Sequence, residues 1–456
     1  MQRLALALFV LSFFLAPAQD WPEFRGPNRS GVSAAKGLPA HFDPKTNVAW
    51  SVEVPTGRSS PIVSKKHLFL TAADAKNLMV LGFDSVSGKL LWRHSKARSR
   101  VNEIDGKRND PASPTPAADG KTVYAFFQDF GLIAISVEGK LLWELPLGPF
   151  LNNYGMGSSP ILHGETVFLQ IDQLRDSYVI AVNKRTGLVR WRVTRPNTIE
   201  GWSTPLILPE AGELVVLSSN GLEALDVETG KTKWFVPASQ GLMIPAPVTD
   251  GKMLIATVRG SDQPLVPPWE DTVKALDSNG DGKLVVEEFS KRHDAGSFGL
   301  VDPDRDGYST EPEWNSVRSR GVGEFGITSV RLADKSVIWR HKRGLPYIPS
   351  PMLFQGILYS VRSGGILTAL SAGTGEVKKE GRLPEAVGEY FASPVAGDGK
   401  IYFASAEGKV SVVKAVADWE ILAVNDVGEG ISATPAIAGG AIFIRTQSRL
   451  YCFRQR

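Results

Sequence analysis

The chain contains a single cysteine, Cys452, among 456 residues. No intramolecular disulfide can therefore form, and no cysteine follows the N-terminal segment as a site for lipid attachment. Cys452 lies in the alternating string Leu450-Tyr451-Cys452-Phe453. Such alternation favours a small residue of a β-strand over a reactive thiol.

Other absences exclude several functional classes. The six histidines are scattered without the spacing of a zinc site, and neither GxSxG nor GxxxxGK[ST] occurs. Acidic and basic residues nearly balance, with a net charge of +3, so a nucleic-acid partner is not expected. No stretch after the first residues has the length of a transmembrane helix. A catalytic triad assembled from distant segments stays open.

The N-terminus has the pattern of an export signal. Met1–Arg3 carries one positive charge, Leu4–Leu15 is apolar, and Ala16–Ala18 supplies small residues at the usual cleavage spacing. We expect cleavage after Ala18, which makes residues 1–18 a signal peptide. The mature protein is then periplasmic or secreted.

A short string recurs along the rest of the chain. A glycine is followed four places later by tryptophan at Gly88 and Trp92, Gly139 and Trp143, Gly187 and Trp191, and Gly230 and Trp234. A proline opens each unit, at Pro61, Pro114, Pro160, Pro205, Pro247, Pro351, Pro394 and Pro435. Units of about 45 residues with several short strands are typical of propeller blades. The sequence predicts an all-β, eight-bladed β-propeller.

The eighth unit lacks an outer strand of its own. It ends at Tyr451–Phe453, whereas Asn47–Val54 precedes the first unit without a partner. We predict that this N-terminal strand completes the eighth blade and closes the ring, because closure removes free sheet edges. The propeller then comprises residues 47–265 and 325–456, preceded by an extension, residues 19–46.

The recurrent tryptophans are predicted to pack between neighbouring blades, because a large ring buries much area and its N–H needs only one partner. We expect the following side chains to be core: Trp50, Trp92, Trp143, Trp191, Trp234 and Trp339. Lys379 and Leu422 occupy the aligned positions of blades six and seven. Those two blades should pack more loosely or present a different outer face.

The strings at residues 83–92 (FDSVSGKLLW) and 224–234 (ALDVETGKTKW) resemble the repeat of pyrroloquinoline quinone (PQQ)-like propellers. The opening WPEFRGPN, residues 21–28, resembles a segment at the mature start of many bacterial secreted members. The resemblance implies the fold but not an activity, because the family includes quinoprotein alcohol dehydrogenases, an outer-membrane assembly lipoprotein and members without known chemistry. The missing lipid-attachment cysteine departs from the lipoprotein.

The fifth unit is longer than the others by about 60 residues, and the excess contains two acidic loops. Residues 277–288 read DSNGDGKLVVEE, and residues 302–313 read DPDRDGYSTEPE. Both match the calcium loop, with oxygen donors at positions 1, 3, 5, 7 and 12 and glycine at position 6. The predicted ligands are Asp277, Asn279, Asp281, the Lys283 carbonyl and Glu288, then Asp302, Asp304, Asp306, the Tyr308 carbonyl and Glu313.

The flanks of these loops favour short helices, at Trp269–Leu276 and Glu287–Arg292. The segment resembles a compact EF-hand pair, residues 266–324, inserted in blade five and binding two Ca²⁺ ions. Ser309 departs from the pattern, because an apolar residue such as Leu284 normally stands at loop position 8. Calcium is favoured over magnesium, which prefers a tight octahedron. The alternative is a pair of acidic turns without metal affinity.

Two further groups of residues are considered for ligand contacts. The basic segment Lys96–Arg108 is interpreted as a solvated loop rather than an anion site. The loops that lead into the inner strands converge on the axis of a propeller, so their polar and aromatic residues are candidates for a ligand site. These are Asn152, Asn153, Tyr154, Glu200, Trp202, Met243, Tyr347, Tyr390 and Glu429.

The sequence thus favours an exported, calcium-binding propeller that acts as a non-catalytic binding or envelope-assembly scaffold. We expect a monomer with a protein or glycan partner at the propeller face. The alternative is a PQQ-dependent dehydrogenase with its active site over the channel. The resemblance implies that such enzymes use calcium, a carboxylate base, a stacking tryptophan and commonly a vicinal disulfide. This chain cannot make the disulfide, so PQQ is not expected.

Overall fold

The computed structural model describes residues 20–98, 100–101, 108–196, 198–238, 241, 243–260, 263–293, 295–302, 305–319 and 324–455. The predicted signal peptide, residues 1–18, lies outside the described residues. The strands form eight four-stranded antiparallel sheets. The first strands of successive sheets contact one another around a central axis. The predicted all-β, eight-bladed propeller is confirmed.

Each blade runs outward from a short first strand beside the axis. The first strands are Ile62–Ser64, Ala117–Ala118, Ile161–His163, Leu206–Leu208, Val248–Thr249, Met352–Phe354, Val395–Gly397 and Ala436–Ala438. The second strands are His67–Ala73, Thr122–Phe127, Thr166–Ile171, Glu213–Ser218, Met253–Val258, Ile357–Arg362, Lys400–Ala404 and Ala441–Arg445. The second strands are almost wholly buried, because neighbouring blades cover both of their faces.

The outer half of each blade consists of a third and a fourth strand. The third strands are Asn77–Asp84, Gly131–Ser136, Tyr178–Asn183, Gly221–Asp226, Gly326–Arg331, Ile366–Ser371, Lys409–Lys414 and Arg449–Arg454. The fourth strands are Leu90–Ala97, Leu141–Pro146, Val189–Thr194, Thr232–Pro237, Val337–His341, Val377–Arg382, Ile421–Asp426 and, in blade eight, Val48–Glu53. The fourth strands are the most exposed, since they form the outer rim.

A proline directly precedes the first strand of every blade. Seven of the predicted prolines stand at this position. In blade two the residue is Pro116, immediately before Ala117–Ala118, so the prediction of Pro114 is wrong by two positions. Proline suits this position because it has no N–H to contribute to a ladder and commonly begins a strand.

The N-terminal strand closes the ring as predicted. Val48–Glu53 pairs with Arg449–Arg454, so that Trp50 stands opposite Cys452 and Val52 opposite Leu450. Cys452 is buried, and its loss of solvent raises the pKa of the thiol to about 12. A thiol that stays protonated is a poor nucleophile, which agrees with the prediction of a small strand residue.

Side-chain hydroxyls join the blades around the axis. The side-chain hydroxyl of the residue before the opening proline accepts a hydrogen bond from the backbone N–H of the equivalent residue in the preceding blade. Thus the Thr434 N–H of blade eight donates to Ser60 Oγ of blade one at 3.1 Å, and the Ser60 N–H donates to Thr115 Oγ1 of blade two at 3.0 Å. Blade five breaks the series with Ala246, which donates but cannot accept. We call the accepting residues the hydroxyl ring: Ser60, Thr115, Ser159, Thr204, Ser350, Ser393 and Thr434.

The recurrent tryptophans of the fourth strands join the blades at their outer edge. The Trp92 indole covers Gly139 of the next blade, and its N–H donates to the Val137 carbonyl at 2.7 Å. The same type of indole bond to the following blade is made by Trp50, Trp143, Trp191 and Trp339. Trp234 donates instead to Glu213 of its own blade. Packing between blades is confirmed, but these rings are half-buried rather than core.

Blades six and seven depart from this arrangement. Lys379 takes the tryptophan position opposite Ala369, and its ammonium lies 4.8 Å from the ring centre of Trp419 in the next blade. Trp419 is only 4% exposed, so this junction is filled from the opposite side. Of the two predicted outcomes, looser packing is wrong for blade six, and a different outer face, with lysine in place of tryptophan, is found. In blade seven, Ala423 stands opposite Val412 at the equivalent position, so the alignment of Leu422 is wrong by one residue.

The described part of the N-terminal extension closes one end of the channel. Trp21 pairs with Val63 of blade one, the Pro22 carbonyl accepts the Ala118 N–H of blade two, and Val32 pairs with Ala396 of blade seven. These partners lie on first strands from different sides of the ring. Residues 20–33 therefore cross the axis, and we call them the plug.

Two buried arginines hold the plug in place. Arg29 donates to the Leu162 carbonyl at 2.8 Å and forms an ion pair with Glu23 at 2.8 Å, while Arg25 donates to the Pro351 carbonyl at 2.8 Å. Burial raises the pKa of Glu23, although Arg29 opposes this shift. Residues 21–28, which resemble the mature start of secreted members, thus form part of the plug that closes one end of the channel.

An insertion separates the second and third strands of blade five. It contains the helices α1 (Trp269–Leu276), α2 (Val286–Phe289) and α3 (Glu311–Ser319) and the 3-10 turn Ala295–Leu300. α1 has the predicted bounds, whereas α2 is shorter than predicted. Helix α1 follows two prolines and has acidic residues in its first turn, which are both favourable at a helix start.

The insertion has a small apolar core of its own. Buried side chains from all three helices, from the first acidic loop and from the segment between the two loops pack together: Trp269, Leu276, Leu284, Phe289, Phe298, Val301, Trp314 and Val317. The Trp314 indole also donates to the Pro267 carbonyl at 2.8 Å, which ties α3 to the start of the insertion. Among the described residues, no helix is both long and apolar enough to cross a membrane.

Candidate functional site

A cavity of about 670 Å³ opens at the end of the channel opposite the plug, and we call it the funnel. Phe24 of the plug forms part of its lining, the hydroxyl ring surrounds it, and inter-blade loops form its mouth. Leu300 and Val317 of the insertion contribute to the wall. The loop between the second and third strands lies at the same end of a blade as the inter-blade loops, so the insertion stands beside the mouth.

Four of the nine predicted candidates line the funnel: Tyr154, Glu200, Trp202 and Tyr347. The others do not. Asn152, Met243 and Tyr390 are buried within the loops. Glu429 accepts hydrogen bonds from Thr446 and Ser448 of blade eight. Convergence of the inter-blade loops is therefore confirmed, but a polar residue in such a loop faces the axis only when its local turn directs it there.

Trp202 presents a fixed aromatic surface to the funnel. Its indole N–H donates to the Gly155 carbonyl at 2.8 Å, and its ring meets Tyr154 edge-on with centroids 5.8 Å apart. A Cβ at Gly157 would lie 3.1 Å from Trp202 Cδ1, so glycine leaves room for the ring. Both polar and steric contacts hold the indole in one orientation.

Glu200 is the only carboxylate among the described lining residues of the funnel. It is buried, and it accepts hydrogen bonds from the backbone N–H and the side-chain amide of Asn153. Asn153 therefore lies at the rim of the funnel, and its two donors bind both carboxylate oxygens of Glu200. The donors of Asn153 stabilise Glu200 as an acceptor within the wall.

Three arginines line the funnel together with this one described carboxylate, and two of them contact the same aromatic ring. The guanidinium carbons of Arg108 and Arg259 lie 5.3 Å and 4.6 Å from the ring centre of Tyr347, and Arg108 also donates to the Tyr347 hydroxyl at 3.2 Å. We call these three residues the arginine clamp. Within the described part of the chain, neither clamp arginine forms an ion pair. Their charge is therefore not neutralised by a described carboxylate.

A third arginine of the funnel, Arg58, lies 3.8 Å from a carboxylate oxygen of Asp110. Burial raises the pKa of Asp110. That shift arises because the charged carboxylate loses solvent, and nearby Arg58 and Arg445 offset it in part. Arg58 thus brings a third guanidinium group to the lining on the side of blade one, where Asp110 pairs with it.

The basic segment Lys96–Arg108 is not simply a solvated loop. Arg98 forms an ion pair with buried Asp129 at 2.6 Å, and Lys96 pairs with Glu144 at 3.0 Å, so the segment joins blades one and two. Arg108 lines the funnel. The prediction of a solvated loop is wrong for Lys96 and Arg98, whereas residues 99 and 102–107 of this segment lie outside the described residues. The density of basic residues in a lengthened inter-blade connection was the signal for Arg108.

In the first acidic loop the carboxylates turn inward. Asp277 accepts the N–H groups of Gly280 and Gly282 at 2.7 Å and 3.0 Å, and Glu288 accepts the Ser278 N–H at 2.7 Å. Gly280 and Gly282 both have positive φ, which glycine adopts without strain. The loop thus folds around its first and twelfth residues.

The second loop follows the same plan. Asp302 is buried and accepts the N–H groups of Asp306 and Gly307, while Glu313 accepts the N–H of Thr310. Asp304 lies outside the described residues. No group of three or more His, Cys, Asp or Glu side chains arranged for a metal occurs in the described ranges.

The two acidic loops are joined side by side. The backbones of Leu284 and Ser309 exchange hydrogen bonds of 3.0 Å and 2.8 Å. The unusual serine therefore leaves this backbone pairing intact. From the second loop, Arg305 donates to the Asn153 side chain at 3.1 Å, so the loop also contacts the funnel rim.

Comparisons with known proteins concern the whole propeller. No curated protein matches the chain. Among solved structures, BamB from Moraxella catarrhalis is 13% identical, with 89% of this chain and 98% of that one covered and a TM-score of 0.57. A europium-containing methanol dehydrogenase is 11% identical, with coverage of 96% and 98% and a TM-score of 0.63.

The quinohemoprotein alcohol dehydrogenase from Comamonas testosteroni is 14% identical, with coverage of 96% and 81% and a TM-score of 0.60. At such identities the likeness concerns the fold alone. A family described as outer membrane protein assembly factor BamB matches residues 32–170 and 175–456. Because this match covers most of the chain, the chain belongs to that family of PQQ-like propellers.

Proposed function

We propose that the protein is an exported, calcium-binding propeller that acts as a non-catalytic binding scaffold in the cell envelope. The observation that carries this proposal is the funnel, which is closed below by the plug and bordered above by the insertion. A closed, partly aromatic cavity with a few fixed polar groups is suited to holding a ligand. Membership in a family described by an outer-membrane assembly role supports an envelope location.

The described lining of the funnel offers no carboxylate without hydrogen-bond donors, and this favours binding over catalysis. The one described lining acid, Glu200, accepts two hydrogen bonds from Asn153. A general base must reach the proton that it removes and must be free to accept it. Glu200 is better suited to positioning Asn153 and the loop around it.

The oxygen atoms of the two acidic loops are suitable ligands for calcium. Asp277, Asn279, Asp281 and Glu288, with the Lys283 carbonyl, would hold the first ion. Asp302, Asp304, Asp306 and Glu313, with the Tyr308 carbonyl, would hold the second. The paired backbones of Leu284 and Ser309 support an EF-hand pair, because they join the loops as such pairs require. Carboxylate and carbonyl oxygens are hard donors that suit Ca²⁺.

A structural role for calcium follows from the small core of the insertion. Extracellular sites of this type bind at about 0.1 to 1 mM, which suits an environment rich in calcium. Binding would stabilise the insertion by coupling its folding to metal occupancy. We expect removal of calcium to unfold residues 266–324 and to leave the propeller intact. Proteolytic cleavage within the blades at the same calcium concentration would contradict this expectation.

Calorimetric titration of the protein lacking residues 1–18 tests the calcium sites. Two equivalents should bind to the parent chain, and the double substitution Glu288→Gln with Glu313→Gln should abolish the heat. Glu287→Gln is the matched control, because Glu287 is the exposed neighbour of Glu288 on α2. No binding by the parent chain, or equal loss in the control, would refute the sites.

A PQQ-dependent dehydrogenase is the second candidate, favoured by the size of the funnel and by the fixed indole of Trp202. When bound, the quinone would supply the oxidising group, and the chain's own residues would offer an aromatic surface and arginines. A titration with PQQ at saturating calcium separates the candidates. No heat supports the scaffold, whereas tight binding with turnover of an alcohol and an electron acceptor overturns it.

A further inference from the structure

We propose that the ligand of the funnel is a short acidic oligosaccharide, whose carboxylates are bound by the arginine clamp. This inference rests on the proposed binding function and names its ligand class. It begins from the polar groups of the lining, which are mainly hydrogen-bond donors. The described lining contains three arginines and one acid.

The clamp provides the charge for this recognition. Arg108 and Arg259 approach the same aromatic ring, Tyr347, and neither forms an ion pair with a described residue. A guanidinium group presents a planar pair of N–H donors that matches a carboxylate. Stacking on Tyr347 limits the orientations of both side chains, so less freedom is lost when an anion binds. The clamp is therefore arranged to receive carboxylates.

The hydroxyl ring provides donors deeper in the funnel. Each of its oxygens already accepts a backbone N–H from the neighbouring blade. No described group accepts the proton of these hydroxyls in return, and the ring lines the cavity. A hydroxyl can donate one hydrogen bond while it accepts another. The ring can thus donate to oxygen atoms of a ligand.

These donors favour a sugar over a peptide. Every peptide unit other than proline brings an N–H that needs an acceptor, and the described lining offers one carboxylate, which Asn153 already contacts. Sugar hydroxyls accept as well as donate. The rings of Trp202, Tyr347 and Phe391 supply flat apolar surface for the carbon faces of sugars. A cavity of about 670 Å³ has the size for a short oligomer.

Calorimetry with a glucuronic acid trisaccharide tests the proposal, in the full mature chain at saturating calcium. The fully methyl-esterified trisaccharide is the matched ligand, because it has the same sugars without the charge. We expect the acid to bind and the ester to bind at least about tenfold more weakly. Arg108→Gln and Arg259→Gln should each weaken binding of the acid by about tenfold, the effect of losing a charged hydrogen bond.

Arg331→Gln is the matched protein control. Arg331 is an exposed arginine of blade five that pairs with Asp334, so the substitution makes the same change in net charge away from the funnel. Affinity for the acid should be unchanged. Arg108→Lys retains the charge without the planar donor pair and should bind more weakly than the parent chain.

Three results would overturn the proposal: no binding of the acid by a chain that binds two calcium ions, equal binding of acid and ester, or equal binding of a triglutamate peptide. Tight binding of PQQ that displaces the trisaccharide would also assign the funnel to a different ligand. Failure of the calcium titration would instead refute the calcium sites, and turnover of an alcohol with PQQ would refute the proposed scaffold. The two failures are thus distinguishable.

Discussion

Substitution of Gly139 by alanine tests whether tryptophan packing holds the blades together. A Cβ at this position would lie 2.7 Å from Trp92 Cγ and 2.9 Å from Trp92 Cδ2. Gly139 also has a φ of +92°, which is unfavourable for alanine. The backbone penalty is about 1 to 2 kcal/mol, and overpacking against the indole adds about 1 to 3 kcal/mol. We therefore expect a loss in the free energy of unfolding of about 2 to 5 kcal/mol.

Gly251→Ala separates the two contributions. Gly251 has a φ of +84° in a comparable hairpin turn, but no atom lies within 4 Å of its added Cβ. Its substitution should cost only the backbone penalty, about 1 to 2 kcal/mol. Guanidinium unfolding of both variants, followed by tryptophan fluorescence and circular dichroism, measures the difference.

Removal of the indole provides a second control. In a Trp92→Ala background the steric clash at Gly139 disappears, so the two substitutions should be strongly non-additive. If Gly139→Ala and Gly251→Ala destabilise the protein equally, or if the double variant shows no coupling, the indole does not fix this junction. The reasoning about the glycine-to-tryptophan spacing would then be refuted.

Further predictions concern buried polar groups and the thiol. Asp172→Ala should lower the free energy of unfolding by about 3 kcal/mol, the lower end of the range for a broken buried ion pair, because buried Arg195 loses its 2.6 Å partner and keeps only Glu223 at 3.7 Å. Asp334→Ala, at an exposed pair, should have a much smaller effect. Thr434→Val should lower the free energy of unfolding by about 1 to 3 kcal/mol, because the buried Ser393 N–H loses its acceptor, whereas Thr434→Ser should preserve stability. Cys452 should not react with a disulfide reagent at pH 8 until guanidinium unfolds the chain. Burial raises the pKa of Cys452 to about 12 from 9.0, so the thiol ionises at lower pH in the unfolded state than in the folded state. The stability due to Cys452 should therefore fall as pH rises above 9. Detectable labelling of the folded protein, or an unchanged pH profile of stability in Cys452→Ala, would contradict this.

Much of the fold could be predicted from the sequence because each blade repeats its own local signals. Proline before a first strand and glycine in the third hairpin act through local backbone geometry, so seven of the opening prolines and the closing strand were found correctly. Of the two exceptions, the first has a local cause and the second depends on a contact between blades. In blade two a second proline stands two residues before the true one, and at the blade-six junction Trp419 replaces a ring that Lys379 does not supply.

The candidate site could be predicted only in part. The sequence indicated that inter-blade loops converge, and it therefore gave Trp202 and Tyr347 as candidates. It did not indicate that Arg108 and Arg259 share one aromatic ring, because these residues belong to different blades and no local pattern couples them. The contact of Arg305 with Asn153 likewise depends on where the insertion lies.

The sequence by itself determined the number of blades, the closing strand, the place of the insertion and the donor pattern of its loops. Each of these follows from periodicity or from spacing within a short segment, where chain geometry leaves few alternatives. Only the tertiary structure decided that the plug closes the channel and that three arginines and the hydroxyl ring face one cavity. Those arrangements depend on the angle between blades and on the path of the loops, which are set by packing between residues far apart in the chain.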